Sequence, residues 1–158
     1  MGRALDAYRQ YRMIADRGEL DRLSEVIDED FVENCIGLTG WTVGLDVALA
    51  NLRAGVGQAF SDRHTEELEV VDGGDAVVIR GEITAVHTGP LLGIPATKRQ
   101  ARWEFLDMYR VGPDGRLNWH FLVTDWNLVR LQLLDEAPDL PTTPTRRAVQ
   151  VEQQQHPH

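Results

Sequence analysis

The sequence has one cysteine, few basic residues and no apolar run as long as a membrane span. A single cysteine excludes an intrachain disulfide and a zinc site built on paired cysteines, and the five histidines are scattered, so no metal site is expected. Without about 20 consecutive apolar residues the chain predicts no transmembrane helix, and without a signal-peptide core we expect it in the cytoplasm. Its net charge of −9 argues against nucleic acid or an anionic membrane as partner.

The composition that is present, 42% hydrophobic and 26% charged residues, is typical of a globular protein. A chain of 158 residues can bury a core as one domain without disulfides or metals. Apolar spacing predicts helices first and strands afterwards. The helices are expected over 3–16, 19–28 and 43–57, and the strands over 31–36, 64–71, 76–87 and a C-terminal hairpin.

This element order predicts an α+β fold. We expect a curved antiparallel sheet with the N-terminal helices packed on its concave face, so that a cone-shaped cavity lies between them. The domain is predicted to span residues 1–134. Residues 135–158 are rich in proline, glutamine and other polar residues, and this composition predicts a disordered tail.

The hairpin is predicted from its turn, Gly112-Pro113-Asp114-Gly115. Proline and aspartate at the central positions suit a type I turn, and the glycine that follows can take the left-handed conformation of a bulge. Such a loop pairs Gly112 with Arg116 and so fixes the register of both strands. Because strand side chains alternate, four facing pairs then share one face of the sheet. The pairs are Trp103 with Asp125, Phe105 with Val123, Asp107 with Phe121 and Tyr109 with Trp119.

Two carboxylates on this largely apolar face make Asp125 and Asp107 candidates for chemistry. A carboxylate there must be hydrogen-bonded, hydrated or protonated, and desolvation raises a carboxyl pKa toward the range useful for general acid–base catalysis. Asp125 opposite Trp103 has that setting; the alternative is a strand-end residue that caps the next turn. Asp107 lies about 13 Å along the ladder and is expected to be a polar group of a pocket or interface. Strict alternation places His120 on the opposite face unless a bulge intervenes.

Four segments in the second half of the chain form an ordered set of motifs: 87–97 (HTGPLLGIPAT), 107–110 (DMYR), 114–117 (DGRL) and 120–125 (HFLVTD). Their order and spacing resemble the pattern of the SnoaL-like polyketide cyclase (ester cyclase) family, HTG-x-x-x-G-x-P-x-T-G-R, an aromatic-Arg strand end, DG-K/R-I, E-H-W and a terminal Asp. The resemblance covers most of residues 5–134. Departures from the pattern are Lys98 for Gly, Phe121 for Trp, and Val123 where well-studied cyclases carry His.

The resemblance implies the α+β cone of nuclear-transport-factor-2-like proteins, often assembled as homodimers or tetramers. It also implies a hydrophobic, polyketide-like small molecule as substrate and no cofactor. In the family's cyclases an aspartate of the terminal strand is the general acid–base of an intramolecular aldol ring closure, and Asp125 occupies that position.

Other residues are candidates for substrate contact. Asn34 lies in a segment that resembles the V-E-D-P-V-G segment of ketosteroid isomerases, and its amide could donate to a substrate carbonyl; the alternative is a turn-forming asparagine. His87 ends the inward face of its strand and is a candidate catalytic partner of Asp125, or else a local hydrogen-bonding residue. Tyr11 could close the cavity from the first helix, although most helix aromatics are core residues. The predicted pocket lining also includes Trp103, Phe105, Asp107 and Tyr109.

Two classes of function therefore stay open. The first is a cofactor-independent enzyme, a polyketide cyclase or a related hydroxylase, dehydratase or isomerase. The second is a non-catalytic small-molecule-binding or dimerisation module, because a fold does not fix a function. A homodimer is predicted from apolar content on the outward face of the sheet. That face is expected to carry Leu106, Met108, Leu122 and Trp126 beside Arg102, Glu104 and Arg110.

Overall fold

The computed structural model describes residues 1–54 and 56–138. Six strands form one sheet: β1 (Ile27–Cys35), β2 (Gly40–Val43), β3 (Phe60–Asp72), β4 (Ala76–His87), β5 (Gln100–Val111) and β6 (Leu117–Thr124). Their spatial order is β2-β1-β6-β5-β4-β3. All neighbouring strands are antiparallel except β1 and β6, which run parallel. The sheet expected to be antiparallel thus contains one parallel pair, which brings β1 beside the C-terminal hairpin.

Helices pack against the sheet and bury its concave face. They are α1 (Arg3–Asp16), α2 (Leu45–Arg53), α3 (Val56–Ala59) and α4 (Trp126–Leu134), with a 3-10 helix over Leu20–Glu25. The apolar stripe of α1, which includes Leu5, Tyr8 and Ile14, lies across β4, β5 and β6. The predicted α+β class is confirmed.

Some element boundaries differ from the prediction. The helix expected over 43–57 is divided into α2 and α3, because the backbone at Ala54 is extended. The segment 19–28 contains only the short 3-10 helix before β1 begins at Ile27. Apolar spacing did not predict β2, a strand of four residues that pairs with β1.

β4 follows its predicted alternation closely. Its inward side chains are buried and its outward side chains are only partly buried. Gly81 lies directly opposite Phe105 in the register. The Phe105 ring covers this glycine so closely that any side chain at position 81 would overlap Cζ of Phe105. The missing side chain therefore makes room for an aromatic ring in the concave core.

The turn of the hairpin forms as predicted. The Gly112 N–H donates to the Arg116 carbonyl, and Gly115 has a φ of 83°. Val111 pairs with Leu117, but the next pair is Arg110 with Trp119. Asn118 is therefore an extra residue in β6, a bulge.

This bulge makes the predicted register wrong beyond the turn. A shift of one residue moves every later side chain to the other face of the sheet. The pairs that share the concave face are Phe105 with Thr124, Asp107 with Leu122 and Tyr109 with His120. His120 therefore faces inwards, and the side chains of Trp119, Phe121 and Val123 face outwards.

The outward face of the sheet also differs in part from the prediction. Leu106 and Met108 do lie there, opposite Val123 and Phe121. Leu122 was expected there but faces inwards opposite Asp107, and Trp126 is buried as the first residue of α4. We call Trp41, Trp119 and Phe121 the outer aromatic patch; their ring centroids are 5.7–6.2 Å apart. Trp41 is 60% exposed.

None of the helices within residues 1–54 and 56–138 is long and apolar enough to cross a membrane. The cytoplasmic location stays a prediction. α4 ends at Leu134, the predicted domain boundary. Most of the predicted tail, residues 139–158, lies outside the described residues, so its disorder also stays a prediction.

Candidate active site

A histidine lies between two carboxylates on the concave face of the sheet. His120 Nδ1 is 3.0 Å from Glu33 Oε2, and His120 Nε2 is 3.1 Å from Asp107 Oδ1. The imidazole side chain is 9% exposed, and each carboxylate side chain is 16% exposed. We call these three residues the His120 cluster. Its imidazole is buried, whereas both carboxylate side chains keep some contact with solvent.

The strand order produces this arrangement. β6 lies between β1 and β5, so His120 has a neighbour on each side. Glu33 is its register partner in the parallel pair, and Tyr109 is its partner in the antiparallel pair. Asp107 is two residues before Tyr109 in β5 and therefore shares its face. Without the bulge at Asn118, the histidine would point away from both acids.

Aromatic rings enclose the imidazole. Tyr109 stacks on it, with ring centroids 4.3 Å apart and an interplanar angle of 4°. Phe31 lies on β1 with its centroid 6.4 Å from that of the imidazole. Tyr8 and Tyr11 of α1 then pack on Tyr109, at 5.2 and 5.8 Å. The cluster thus lies under an aromatic layer contributed by both the sheet and α1.

Burial alone would lower the pKa of His120. The hydrogen bonds that the imidazole donates to Asp107 and Glu33, together with the negative charges of these carboxylates, outweigh burial and raise the pKa of His120 to about 9. The imidazole is therefore a cation near neutral pH and donates from both nitrogens. The resulting chain of two carboxylates and one cation carries a net negative charge.

The other polar groups near the cluster stay protonated. Burial raises the pKa values of the Tyr11 and Tyr109 hydroxyls, and the negative charge of Asp107 adds to this effect. Burial, with the charges of Glu33 and Asp107, raises the pKa of the Cys35 thiol to about 12. Cys35 is therefore not a thiolate nucleophile at neutral pH. The tyrosines are hydrogen-bond donors rather than bases.

Asp125, predicted as the acid–base residue, lies elsewhere. It is the N-cap of α4, and its Oδ1 accepts the N–H of Leu128 at 2.9 Å. The residue is exposed and is not opposite Trp103, because the bulge shifts the register. This is the alternative role that the sequence analysis considered, a strand-end residue that caps the next turn. Capping the first turn of a helix is a structural role, and it accounts for an aspartate at this position.

Asn34 and His87 are also separated from the cluster. Asn34 pairs in register with Trp41 and Phe121, so it lies on the outward face under the outer aromatic patch. His87 is fully buried; its Nδ1 accepts the N–H of Thr97 at 3.2 Å, and burial lowers its pKa. It is eight residues along β4 from Ile79, the partner of Asp107, which corresponds to about 26 Å of strand.

The remaining predicted residues divide into two groups. Asp107, Tyr109 and Tyr11 come together at the His120 cluster, as described above. Trp103 and Phe105 share the concave face but lie in the core: Trp103 packs against Phe60 and Trp126, with centroids 4.9 and 6.4 Å away. These two residues support the site from within the apolar core.

A sequence profile described as SnoaL-like polyketide cyclase matches residues 5–133. The chain belongs to this family. Among proteins with curated descriptions, none matches it.

Solved structures with the same fold include three of particular interest. AclR from Streptomyces galilaeus, an inferred hydroxylase, is 21% identical with a TM-score of 0.66, and the match covers 97% of this chain and 96% of AclR. IdmH from Streptomyces antibioticus, an inferred polyketide cyclase, is 24% identical with a TM-score of 0.62, covering 82% and 96%. An NTF2-like protein from Burkholderia thailandensis is 16% identical with a TM-score of 0.66, covering 82% and 95%. At these identities the likeness concerns the fold.

Within this SnoaL-like chain, sequence reasoning missed Glu33 and misplaced His120. Glu33 directly precedes Asn34, and alternation along β1 gives the two residues opposite faces. The parallel register of β1 with β6 pairs Glu33 with His120 and Asn34 with Phe121, so Glu33 is the residue on the concave face. The residues of β1 do alternate between the two faces, with Phe31, Glu33 and Cys35 on one face and Val32 and Asn34 on the other. Each set contains both apolar and polar residues, so the pattern does not show which face is directed inwards.

Two open depressions of the SnoaL-like domain lie away from the cluster. One, of about 420 Å³, is bounded by the 3-10 helix and Arg53. The other, of about 670 Å³, lies on the outward side beside the hairpin turn and Trp119. Neither is lined by the His120 cluster. Within the described residues, no group of three or more His, Cys, Asp or Glu side chains could hold a metal ion.

Proposed function

We propose that this protein is a polyketide cyclase that uses no cofactor and closes a ring by intramolecular aldol addition. Membership in the SnoaL-like family supports the class of reaction. The observation that carries the proposal is the His120 cluster, in which a cationic imidazole holds one oxygen of Asp107 at 3.1 Å. The substrate would lie on the concave face under Tyr11 and Tyr109.

Asp107 is the proposed base. Its Oδ1 is bound by His120, whereas its Oδ2 has no hydrogen-bond partner among the described residues. A carboxylate is a weak base, but it suffices for a carbon between two carbonyls, whose proton is acidic. His120 would be a positioning residue, because it orients the carboxylate and does not itself touch the substrate.

The proposed reaction is balanced without another reactant. Asp107 takes the proton from the substrate carbon and leaves an enolate. The enolate carbon attacks a ketone carbonyl of the same molecule, which forms the carbon–carbon bond and an alkoxide. The proton on Asp107 then returns to that alkoxide oxygen. Tyr11 and Tyr109 would donate hydrogen bonds to the enolate oxygen, since both hydroxyls stay protonated.

Deuterium exchange tests this function. Candidate substrates with a carbon between two carbonyls would be incubated with the protein in heavy water and followed by NMR. We expect faster exchange at that carbon and, for substrates with a ketone in reach, a cyclised isomer of unchanged composition. Exchange without ring closure would instead indicate an isomerase. Saturable binding with neither exchange nor product would contradict the enzyme and favour a binding module.

We also propose that the protein is a homodimer joined through the outer aromatic patch. An exposed patch of large aromatic side chains usually marks an interface, and Arg110 lies over Trp119, 5.2 Å from its ring centroid. Light scattering should give the mass of a dimer for the wild type and of a monomer for Trp41→Glu. Trp41 is an edge-strand residue, so the variant should keep its circular dichroism spectrum. A wild-type monomer would refute the dimer.

A further inference from the structure

A glutamate of β3, the edge strand of the sheet, binds a tyrosine of α1. The Tyr8 hydroxyl donates to Glu67 Oε1 at 2.9 Å. Arg9 Nη1 donates to both oxygens of the same carboxylate, at 2.7 and 2.5 Å. Tyr8 is buried, whereas the Glu67 side chain is 24% exposed. A hydroxyl of the core is thus held by a carboxylate at the border of the core.

The register of β3 places Glu67 on the concave side of the sheet. Glu67 pairs with Gly81, an inward position of β4 that carries no side chain. The next pair is Glu69 with Arg80, so Leu68 is an extra residue, a bulge. Bulges redirect side chains and are frequent beside active sites. The carboxylate therefore lies on the side of the sheet where α1 packs.

Tyr8 belongs to a layer of three tyrosine rings over the imidazole, which we call the tyrosine layer. Its ring centroid is 5.2 Å from that of Tyr109 and 6.5 Å from that of Tyr11. The centroids of Tyr11 and Tyr109 are 5.8 Å apart, and Tyr109 stacks on His120 at 4.3 Å. A displacement of the Tyr8 ring would therefore be transmitted to both tyrosines that are proposed to donate to the enolate.

The bond to Glu67 determines where the Tyr8 hydroxyl points. A buried hydroxyl without a hydrogen-bond partner costs free energy, and a bond to a carboxylate is stronger than one between neutral groups. Within the described part of the chain, this hydroxyl has no other hydrogen-bond partner. Removal of the carboxylate would leave the Tyr8 hydroxyl unsatisfied, so that the ring would have to turn toward another acceptor.

We propose that Glu67 is a positioning residue of the cyclase site, which acts through Tyr8 to keep the other two hydroxyls of the tyrosine layer directed at the substrate. This assignment deepens the proposed function and rests on it. Glu67 does not itself touch the substrate, and Arg9 fixes its carboxylate from the solvent side. Because the two hydroxyls stabilise the enolate, a displaced layer should slow the chemical step more than it weakens binding.

NMR of the histidine side chains tests this role without any turnover. A stacked aromatic ring shifts the resonances of the protons that it faces, so the ring protons of His120 should be shifted upfield in the wild type. His120→Gln identifies these signals, and Tyr109→Leu gives their position without the stacked ring. Glu67→Ala should move them part of the way toward that position. Unchanged His120 signals in Glu67→Ala would overturn the proposal.

Kinetics on a cyclising substrate then measure the effect on the reaction. Glu67→Ala should lower kcat by about 10- to 100-fold, as a small misplacement of catalytic groups does, and leave KM nearly unchanged. Glu67→Gln should keep most of kcat, because its amide oxygen can still accept the Tyr8 hydroxyl. Tyr8→Phe should lower kcat as well. The double variant with Glu67→Ala should be no slower than the single variants, since the two residues act as one unit.

Glu66→Ala is the matched control, because Glu66 is the exposed neighbour that pairs with Glu82 on the outward face. It should change neither the His120 signals nor kcat. Thermal melts set an assay temperature at which every variant is folded, where a purely structural role of Glu67 would leave kcat unchanged. If Glu67→Ala does not fold, Tyr8→Phe replaces it in both measurements. Wild-type kcat in a folded variant, or losses that multiply in the double variant, would overturn the positioning role.

The two measurements separate this proposal from the cyclase itself. If the wild type cyclises a substrate and Glu67→Ala retains kcat, the cyclase stands and the positioning role is wrong. If the His120 signals shift as expected but no candidate substrate exchanges or cyclises, Glu67 does hold the tyrosine layer and the cyclase is wrong.

Discussion

Asp107→Asn should lower kcat by about 10²- to 10⁴-fold on any substrate that the wild type cyclises. The amide has the size and shape of the carboxylate but cannot accept the proton from the substrate carbon. Its carbonyl oxygen can still accept the hydrogen bond from His120 Nε2, now 3.1 Å from Asp107 Oδ1. The fold and the affinity for a substrate analogue should therefore survive. Steady-state kinetics and a binding isotherm on the same preparation measure both quantities.

Asp125→Asn is the matched control for this variant. Asparagine is as good an N-cap as aspartate, so the bond from the Leu128 N–H should persist and α4 should stay folded. Turnover should stay close to that of the wild type. The reverse outcome, with Asp125→Asn inactive and Asp107→Asn active, would place the acid–base chemistry at the strand end that the family resemblance indicates.

The contrast between β4 and β6 explains what could be predicted from sequence. In β4 the inward residues Val77, Ile79 and Ile83 alternate with polar residues such as Arg80 and Glu82, so only one register is compatible with burial. Both the face and the limits of that strand follow from the pattern. The α+β order of elements follows in the same way, because helical and strand periodicities are distinct.

β6 carries apolar side chains on both faces, so its pattern contains no information about register. His120, Leu122 and Thr124 face inwards while Trp119, Phe121 and Val123 face outwards. The register had to be taken from the turn, and a single bulged residue, Asn118, reversed it. The turn itself was correctly predicted, which shows that local turn chemistry cannot exclude an irregularity further along the ladder.

The location of Glu33 depends on a contact between distant parts of the chain. Its partner His120 is 87 residues away, in a parallel pairing that no local pattern predicts. Asn34 was predicted to bind substrate because its segment resembles a catalytic segment of ketosteroid isomerases. The adjacent residue, Glu33, is the one that contacts His120. Likewise Asp125 occupies the terminal position of the family's motif, where this chain uses it to begin α4.

The second large effect concerns the stability provided by His120. Its folded-state pKa of about 9 lies above the ordinary value of 6.5, so protonation is favoured in the folded protein. The stabilisation is fully present below pH 6.5 and is lost as the pH rises through about 9. At 1.36 kcal/mol per pKa unit, the contribution is on the order of 3 kcal/mol at the lower pH.

His120→Gln should therefore lower the free energy of unfolding at pH 6, because Glu33 and Asp107 then face each other without a cation between them. The difference from wild type should shrink steadily above pH 6.5 and be small beyond about pH 9, where the wild-type imidazole is neutral. Denaturant titrations of both proteins across this range give the difference directly. The same substitution at His64, an exposed histidine of β3, is the control and should leave the wild-type pH dependence unchanged. A His120→Gln deficit that is equal at pH 6 and above pH 9 would mean that the histidine stabilises the site by packing against Tyr109 and not as a cation.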